Sequence, residues 1–196
     1  MPQFDDIWFT YKARIAAEVR LRNNDLHSQV LLVWYAVLST AGSIVAIRYE
    51  KFLGPDTDIL MAVLSVGLLA ISMIVASRDF KGRALVMRAN HLALKTLFDE
   101  LKAGTVPATE KPQRYAKLLQ ECENHSPYDD RHFRVLNSTG LTSRKPSFAE
   151  YFLFGLHFLL RFLGIGVVYL FPLGLAFGWL RQVRPERFER SFPLPG

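Results

Sequence analysis

"LHSQVLLVWYAVLSTAGSIVAI", Leu26 to Ile47, contains no Asp, Glu, Lys or Arg. Its length is close to the roughly 20 residues an α-helix needs to cross the hydrocarbon of a bilayer, and a buried core helix that long would normally carry a polar face. Two later stretches share the property, Ile59 to Ser77 and Phe162 to Leu180. Half of the 196 residues are apolar, but they are gathered into these blocks instead of being spread as in a soluble core. The expected fold is an all-α integral membrane protein: a transmembrane helical hairpin with long cytosolic helical extensions and an additional C-terminal hydrophobic segment.

Outward from the first span, Ile7, Trp8, Tyr11, Ile15, Val19, Arg22 and Leu26 recur at helical steps, which predicts an amphipathic helix running into the membrane. Met1 to Asp6 carries two acids and no basic residue, so a cleaved signal peptide is not expected. The connection "RYEKFLGPDTD", Arg48 to Asp58, is short and holds Gly54-Pro55 as a turn signal, so spans one and two form an antiparallel hairpin. Lys12, Arg14, Arg20 and Arg22 precede the hairpin, and Arg78, Lys81, Arg83, Arg88 and Lys95 follow it. The positive-inside rule then puts the N-terminus and residues 78–147 in the cytoplasm. The net charge of +6 is explained by anionic lipid and insertion topology, so membrane lipid is an expected partner and direct nucleic-acid binding is not. No phosphate-binding loop or base-stacking platform is visible.

Beyond span two, Phe80, Ala84, Met87, His91, Leu94, Phe98 and Leu101 alternate in steps of four and three, predicting a helix over about 78–103 that continues out of the membrane and needs a partner. The partner is the N-terminal helix, a second helix over about 112–125, or the same heptads of another copy. His91 reads as a packed histidine before it reads as a ligand. "LNSTGLTSRKPS" falls in a polar linker, 133–147, ahead of the C-terminal segment, 148–196. There Pro172 and Gly174 interrupt the third block, which leaves a kinked span or a re-entrant helical hairpin open. A span would carry Arg181, Arg184, Arg187 and Arg190 outside.

"ECENHSPYDD", Glu121 to Asp130, gathers a thiol, an imidazole and four carboxylates in ten residues. Cys122 and His125, with Asp129 or His132, would suit zinc by residue type, and a Cys122–His125 pair would suit nucleophilic catalysis. A single cysteine, the Pro127 turn and the lack of any visible oxyanion site argue against both. The expectation is instead that Asn124 and His125 end a helix, Ser126-Pro127 turns the chain, and Asp129 caps the next segment or pairs with an arginine. No catalytic residue, metal or cofactor is expected. Within the spans, Ser39, Thr40, Gly42 and Ser43, then Ser65, Gly67 and Ser72, are candidates for close helix packing or a pore lining, and Gly174 with Gly178 forms a GxxxG.

"YKARIAAEVRLR" (Tyr11 to Arg22), the two-span hairpin and "YAKLLQECENHSPYD" (Tyr115 to Asp129) together resemble the SLATT family of two-transmembrane effector domains. The resemblance covers roughly Phe4 to Asp130, within an expected effector domain of residues 1–132. Its most specific piece is Tyr115 with Glu123, Asn124, His125 and Ser126 and then Asp129; with Tyr11, Arg14 and Arg20 these are the candidates for a cytosolic latch or subunit contact. The resemblance implies an effector of prokaryotic antiviral defence that oligomerises and permeabilises the inner membrane, causing abortive cell death or growth arrest. It also implies a sensor partner, such as a reverse transcriptase or a nucleotide-second-messenger synthase. The third block departs from the two-span pattern and points to a reverse-transcriptase-associated subfamily. The alternative function is a membrane anchor or adaptor that recruits a partner enzyme.

Overall fold

The structure is a computed structural model that describes residues 4–49, 54–141 and 143–191, with side chains described as far as Gly174 and at Phe177. The described residues form six α-helices: α1 (Asp5–Arg48), α2 (Thr57–Ser77), α3 (Phe80–Ala103), α4 (Lys111–Gln120), α5 (Pro127–Leu136) and α6 (Phe148–Ser191). Single 3₁₀ turns precede α4 at Ala108–Glu110 and follow α5 at Ser138–Gly140. Three helices, lying in α1, in the stretch from α2 through α3, and in α6, are long and apolar enough to cross a membrane. The protein is an all-α membrane protein.

The chain divides into two compact units. The first comprises residues up to His27 with Arg78–Phe158, and the second comprises Ser28–Ser77 with the chain from Leu159 onward.

In the first unit, α1 buries Ile7, Tyr11, Arg14, Glu18 and Leu21, a series whose steps alternate between four and three. This differs from the apolar line expected through Val19 and Leu26, which are 47% and 59% exposed. Successive steps of four overshoot a full helical turn, so that line drifts off the packed face, while alternating steps stay on it. The true stripe therefore runs through two ionisable residues. Its partner is α3, which buries Ala84, Met87, Asn90, Leu94, Leu97 and Leu101. Ile7 and Tyr11 meet Leu94, Leu97 and Leu101, and Tyr115 and Leu118 of α4 close over the same cluster. Each buried aliphatic side chain there contributes about 1.5–3 kcal/mol. The two helices run antiparallel, since Tyr11 faces Phe98 at 6.1 Å between ring centroids while Arg14 meets Asn90. A second cluster joins Phe9 to Phe133 and Leu141. The stretch read as a polar linker from 133 thus begins inside α5 and anchors two apolar side chains.

The helix expected to run unbroken out of span two is interrupted. α2 ends at Ser77, and Asp79 takes a left-handed conformation (φ 41°) and caps α3, its carboxylate accepting the Gly82 amide at 3.0 Å. Aspartate tolerates this conformation better than most residues because its short side chain bonds locally. At the other end Gly104 (φ 73°) terminates α3, as a glycine beyond a helix end commonly does.

In the second unit, among the described residues, only Thr57 and Met61 are buried. Gly54 (φ 112°) makes the turn after α1, and the Thr57 hydroxyl donates to its carbonyl at 2.7 Å. The re-entrant hairpin considered for the third block is not formed: α6 is one helix of 44 residues that passes through Pro172. Proline cannot supply the amide that would bond the carbonyl four residues earlier, here Val168. The Tyr35 hydroxyl of α1 donates to that Val168 carbonyl at 2.8 Å instead. A group in another helix thereby satisfies the carbonyl that Pro172 leaves open, which matters most where no water is available. Gly178 and the tail arginines Arg181, Arg184, Arg187 and Arg190 fall outside the residues whose side chains are described.

Candidate functional site

The polar residues buried in the first unit join α1 to α3, α4 and α5, and they hold most of the motif residues singled out in the sequence. Ser126 is the N-cap of α5, and Asp129 returns the bond to the Ser126 backbone amide at 2.8 Å, completing a capping box. Satisfying its own helix end leaves Asp129 oriented toward α1, where Arg20 grips it: Nε donates to Oδ1 at 2.7 Å and Nη2 to Oδ2 at 3.1 Å. Asp129 is fully buried, and the bond to it raises the Arg20 pKa above its ordinary value. Two-point guanidinium–carboxylate contacts of this kind are stronger and more directional than single charge contacts.

Nearly two turns back along α1, Arg14 is also fully buried. Its Nη1 donates to the Asn90 side-chain oxygen and, at 3.3 Å, to the Leu118 carbonyl. Asn90 donates to the same carbonyl at 2.7 Å, so an α4 backbone oxygen is held from both α1 and α3. Glu18 lies between Arg22 at 2.8 Å and His91 at 2.7 Å. Toward the start of α1, the Tyr115 hydroxyl bonds the Thr10 hydroxyl at 2.6 Å, and Lys111 pairs with Asp6 at 2.9 Å. Tyr11 contributes to the apolar cluster beneath. Glu123 pairs with Arg83 of α3 through both oxygens, at 2.9 Å each, on the surface. Asn124 is exposed.

The loop between α4 and α5 carries Cys122 and His125. The Cys122 thiol lies 4.0 Å from the Met87 sulfur, and burial raises its pKa, which disfavours the thiolate that nucleophilic or metal chemistry requires. Burial also pushes the His125 pKa down, and its Nδ1 is buried with no partner among the described residues. Among the described residues, no group of three or more His, Cys, Asp or Glu is placed to hold a metal ion. α5 continues into an aromatic contact with the start of α6, Tyr128 lying tilted against His157 at 4.3 Å and His132 against Phe154 at 5.5 Å between ring centroids.

The candidates in the membrane helices are arranged differently. The hydroxyls of Thr40, Ser43, Ser65 and Ser72 donate to carbonyls of their own helix, at 2.9, 3.0, 2.9 and 2.7 Å, and make no bond across helices among the described contacts. A methyl group added at Gly67 or Gly174 would meet nothing within 4 Å. Ser39 and Gly42 are half-exposed on the same stretch of α1.

Sequence reasoning missed Thr10, Arg83, Asn90 and the Leu118 carbonyl. Asn90 was within reach, because an amide beside His91 on a heptad stripe is a known device for fixing helix register. The Leu118 oxygen carries no side-chain signal.

Three helices long and apolar enough to cross a membrane, in one chain with a unit that buries ion-paired side chains, define an all-α membrane protein. The chain belongs to SMODS and SLOG-associating 2TM effector domain family 5, whose family model matches residues 3–178. The match runs well past Asp130, where the diagnostic motifs end, and takes in most of the third apolar helix. No curated protein and no solved structure matches the chain. Membership makes the protein a membrane effector associated with prokaryotic defence systems.

Proposed function

We propose that this effector oligomerises through α1, α2 and the first unit and opens a conductive path in the bacterial inner membrane, arresting or killing the infected cell without chemistry of its own. The observation that carries the reading is that Thr40, Ser43, Ser65 and Ser72 bond their own helices and that Gly67 and Gly174 have open space beside them, so these positions are not consumed by packing within one chain. Hydroxyls bonded to their own helix are tolerated in lipid, yet they can also face water, and small residues let helices of neighbouring copies approach closely. Ser39, Thr40, Gly42, Ser43, Ser65, Gly67, Ser72, Gly174 and Gly178 are the positions assigned to that surface.

The first unit faces the cytoplasm and acts as the latch, through Tyr11, Arg14, Arg20, Tyr115, Glu123, Asn124, His125, Ser126 and Asp129. A sensor partner, a reverse transcriptase or a nucleotide-second-messenger synthase, shifts the population from closed or dispersed to assembled. α6 adds a third span, a reading supported by its continuity and by the Tyr35–Val168 bond. The adaptor reading is favoured by one observation, the concentration of ordered polar contacts in the first unit, which suits a recruiting surface.

Inducible expression in bacteria, followed with a potential-sensitive dye and an impermeant nucleic-acid dye, separates the two. The triple substitution Ser39→Ala, Thr40→Val, Ser43→Ala at equal membrane abundance should abolish depolarisation. Retained depolarisation removes the hydroxyl lining. A membrane that stays polarised when the native chain, its sensor and phage are all present sinks the pore and leaves the adaptor.

A further inference from the structure

Three arginines of the first unit use the guanidinium in two ways. Arg20 and Arg83 each present Nε and Nη2, the two donors that share one edge, to both oxygens of a carboxylate: Asp129 at 2.7 and 3.1 Å, and Glu123 at 2.9 Å twice. On Arg14 the same two atoms, Nε and Nη2, are buried and have no hydrogen-bond partner among the described residues. Only Nη1 is engaged, and both of its acceptors, the Asn90 amide oxygen and the Leu118 carbonyl, are neutral.

This is an unusual way to bury a charge. Arg14 is 0% exposed, and a guanidinium cannot shed its proton to escape the cost. Buried cations are normally paired, because desolvation otherwise costs several kcal/mol. Among the described residues no carboxylate lies within ion-pair distance of Arg14, and Glu18, one turn further along α1, is held by Arg22 and His91. The neighbouring loop adds a third unpartnered buried atom, His125 Nδ1. Burial lowers the His125 pKa and raises that of Cys122, and the Arg14 charge adds to the first shift and opposes the second, which puts the loop in the same electrostatic neighbourhood.

We propose that the Nε–Nη2 edge of Arg14 is the receptor for a phosphate-type oxyanion, enclosed by α1, α3 and the loop from Glu121 to Ser126. A guanidinium edge matches two oxygens of such an anion, as it matches the carboxylates of Asp129 and Glu123 elsewhere in the unit. The anion is small and free, because Arg14 and Asn90 are 0% and 3% exposed and admit no bulky group or foreign side chain without opening the unit. His125 supplies a further donor from the loop. Binding ties α1 to the α4–α5 connection, so the anion reinforces the closed unit whether or not the membrane helices conduct.

The test uses the full chain, delipidated in a phosphate-free detergent and heated in chloride buffer while inorganic phosphate replaces chloride at constant ionic strength. The expected result is a saturable rise in Tm of several degrees that Arg14→Met abolishes, that Arg14→Lys weakens at least about tenfold in apparent affinity by losing the fork, and that Arg88→Met, on the exposed face of α3, leaves intact. Without phosphate, Arg14→Met should unfold at a higher temperature than the native chain, since it removes an uncompensated buried charge. A flat native titration overturns the proposal and leaves a buried water as the partner of Arg14. So does a phosphate response that survives Arg14→Met or vanishes in Arg88→Met. Should Arg14→Met fail to fold, the native titration with the Arg14→Lys and Arg88→Met pair decides the matter alone.

Discussion

The two units of this chain treat polar groups in opposite ways. In the first, Arg14, Glu18, Asn90 and Asp129 are buried among aliphatic and aromatic side chains, and their bonds run between helices. In the second, the hydroxyls of Thr40, Ser43, Ser65 and Ser72 close onto their own helices, while Tyr35 reaches across to α6. Water is the reason for the difference. A unit bathed in water gains a hydrophobic core and can fix its geometry with a few buried polar contacts, whereas helices in lipid have no such drive toward one another and must each satisfy their own backbone and side chains. Directional contacts between helices therefore report geometry in the first unit, while in the second the described hydroxyls of Thr40, Ser43, Ser65 and Ser72 report their own helices.

If that contrast is right, the largest single loss should come from Asp129→Ala. The substitution strands Arg20 and removes the capping box of α5 together, and the expected cost is about 4 kcal/mol of stability in the first unit. Denaturant unfolding of the detergent-solubilised protein, followed by tryptophan fluorescence, would register it. The surface pair offers the internal control: Arg83→Ala removes an equally well-formed two-point contact, but from the surface, and should cost about 0.5 kcal/mol. Equal effects at the two sites would mean that burial is not what gives the Asp129 contact its strength.

Next in size is the core. Leu94→Ala deletes a fully buried side chain from the cluster shared by α1, α3 and α4, and should cost about 3 kcal/mol. Ile71→Ala, on a membrane helix where Ile71 is 55% exposed, should change the same unfolding transition by less than about 0.5 kcal/mol. A large Ile71 effect would show that the membrane helices pack more specifically than their exposure indicates.

How much of this could be read in the sequence follows the same division. Charge-free runs mark the membrane segments because lipid penalises any ionisable group, so the presence of apolar helices at Leu26 to Ile47 and Ile59 to Ser77 is legible, and both runs lie within helices long and apolar enough to cross a membrane. The heptads of α3 are legible because Ala84, Met87, Leu94 and Leu101 are apolar at coiled-coil spacing. The packed face of α1 is not, since Arg14 and Glu18 occupy it and apolar periodicity steers toward Val19 and Leu26. The interruption at Asp79 escapes periodicity too, because one left-handed residue can redirect a helix without altering the pattern of apolar side chains on either side. In the Glu121 to Asp130 stretch the single cysteine and the Pro127 turn already favour a cap or an arginine contact over a metal, but which arginine Asp129 meets, Arg20, depends on spatial neighbours that the sequence does not show. Pro172 was visible as a disruption, but its accommodation depends on a hydroxyl contributed from Tyr35.

That accommodation sharpens the comparison from the membrane side. Tyr35→Phe leaves the Val168 carbonyl without a donor and should weaken the docking of α6 by about 1 kcal/mol. In a Pro172→Ala background the helix regains its own amide donor, and the penalty for Tyr35→Phe should fall by at least about half. A double-mutant cycle on a reporter of α6 docking, such as protease protection at its start, measures this directly. Additive effects would show that Tyr35 serves some purpose other than replacing the amide that Pro172 lacks.

The smallest effect expected is that of mild acid, and it belongs to the first unit alone. Burial holds the pKa of both His125 and His132 below the ordinary histidine value, which is about 6.5 in an unfolded chain. Just below that value the unfolded chain binds protons that the folded unit resists, so stability is complete above about pH 6.5 and declines as the pH falls toward the folded-state pKa values. Asp129 and Asp130 oppose the shift, and both rings are only half-buried, which keeps the loss small. Thermal unfolding at pH 7.5, 6.5 and 5.5 should give a falling Tm, and the double variant His125→Gln, His132→Gln should flatten the slope. A Tm that holds steady or rises between pH 7.5 and 5.5 would show that the carboxylates, and not burial, govern these rings. The contact between α5 and α6 would then stand as an electrostatic one, closer in kind to the Arg20–Asp129 pair than to the apolar cluster beneath it.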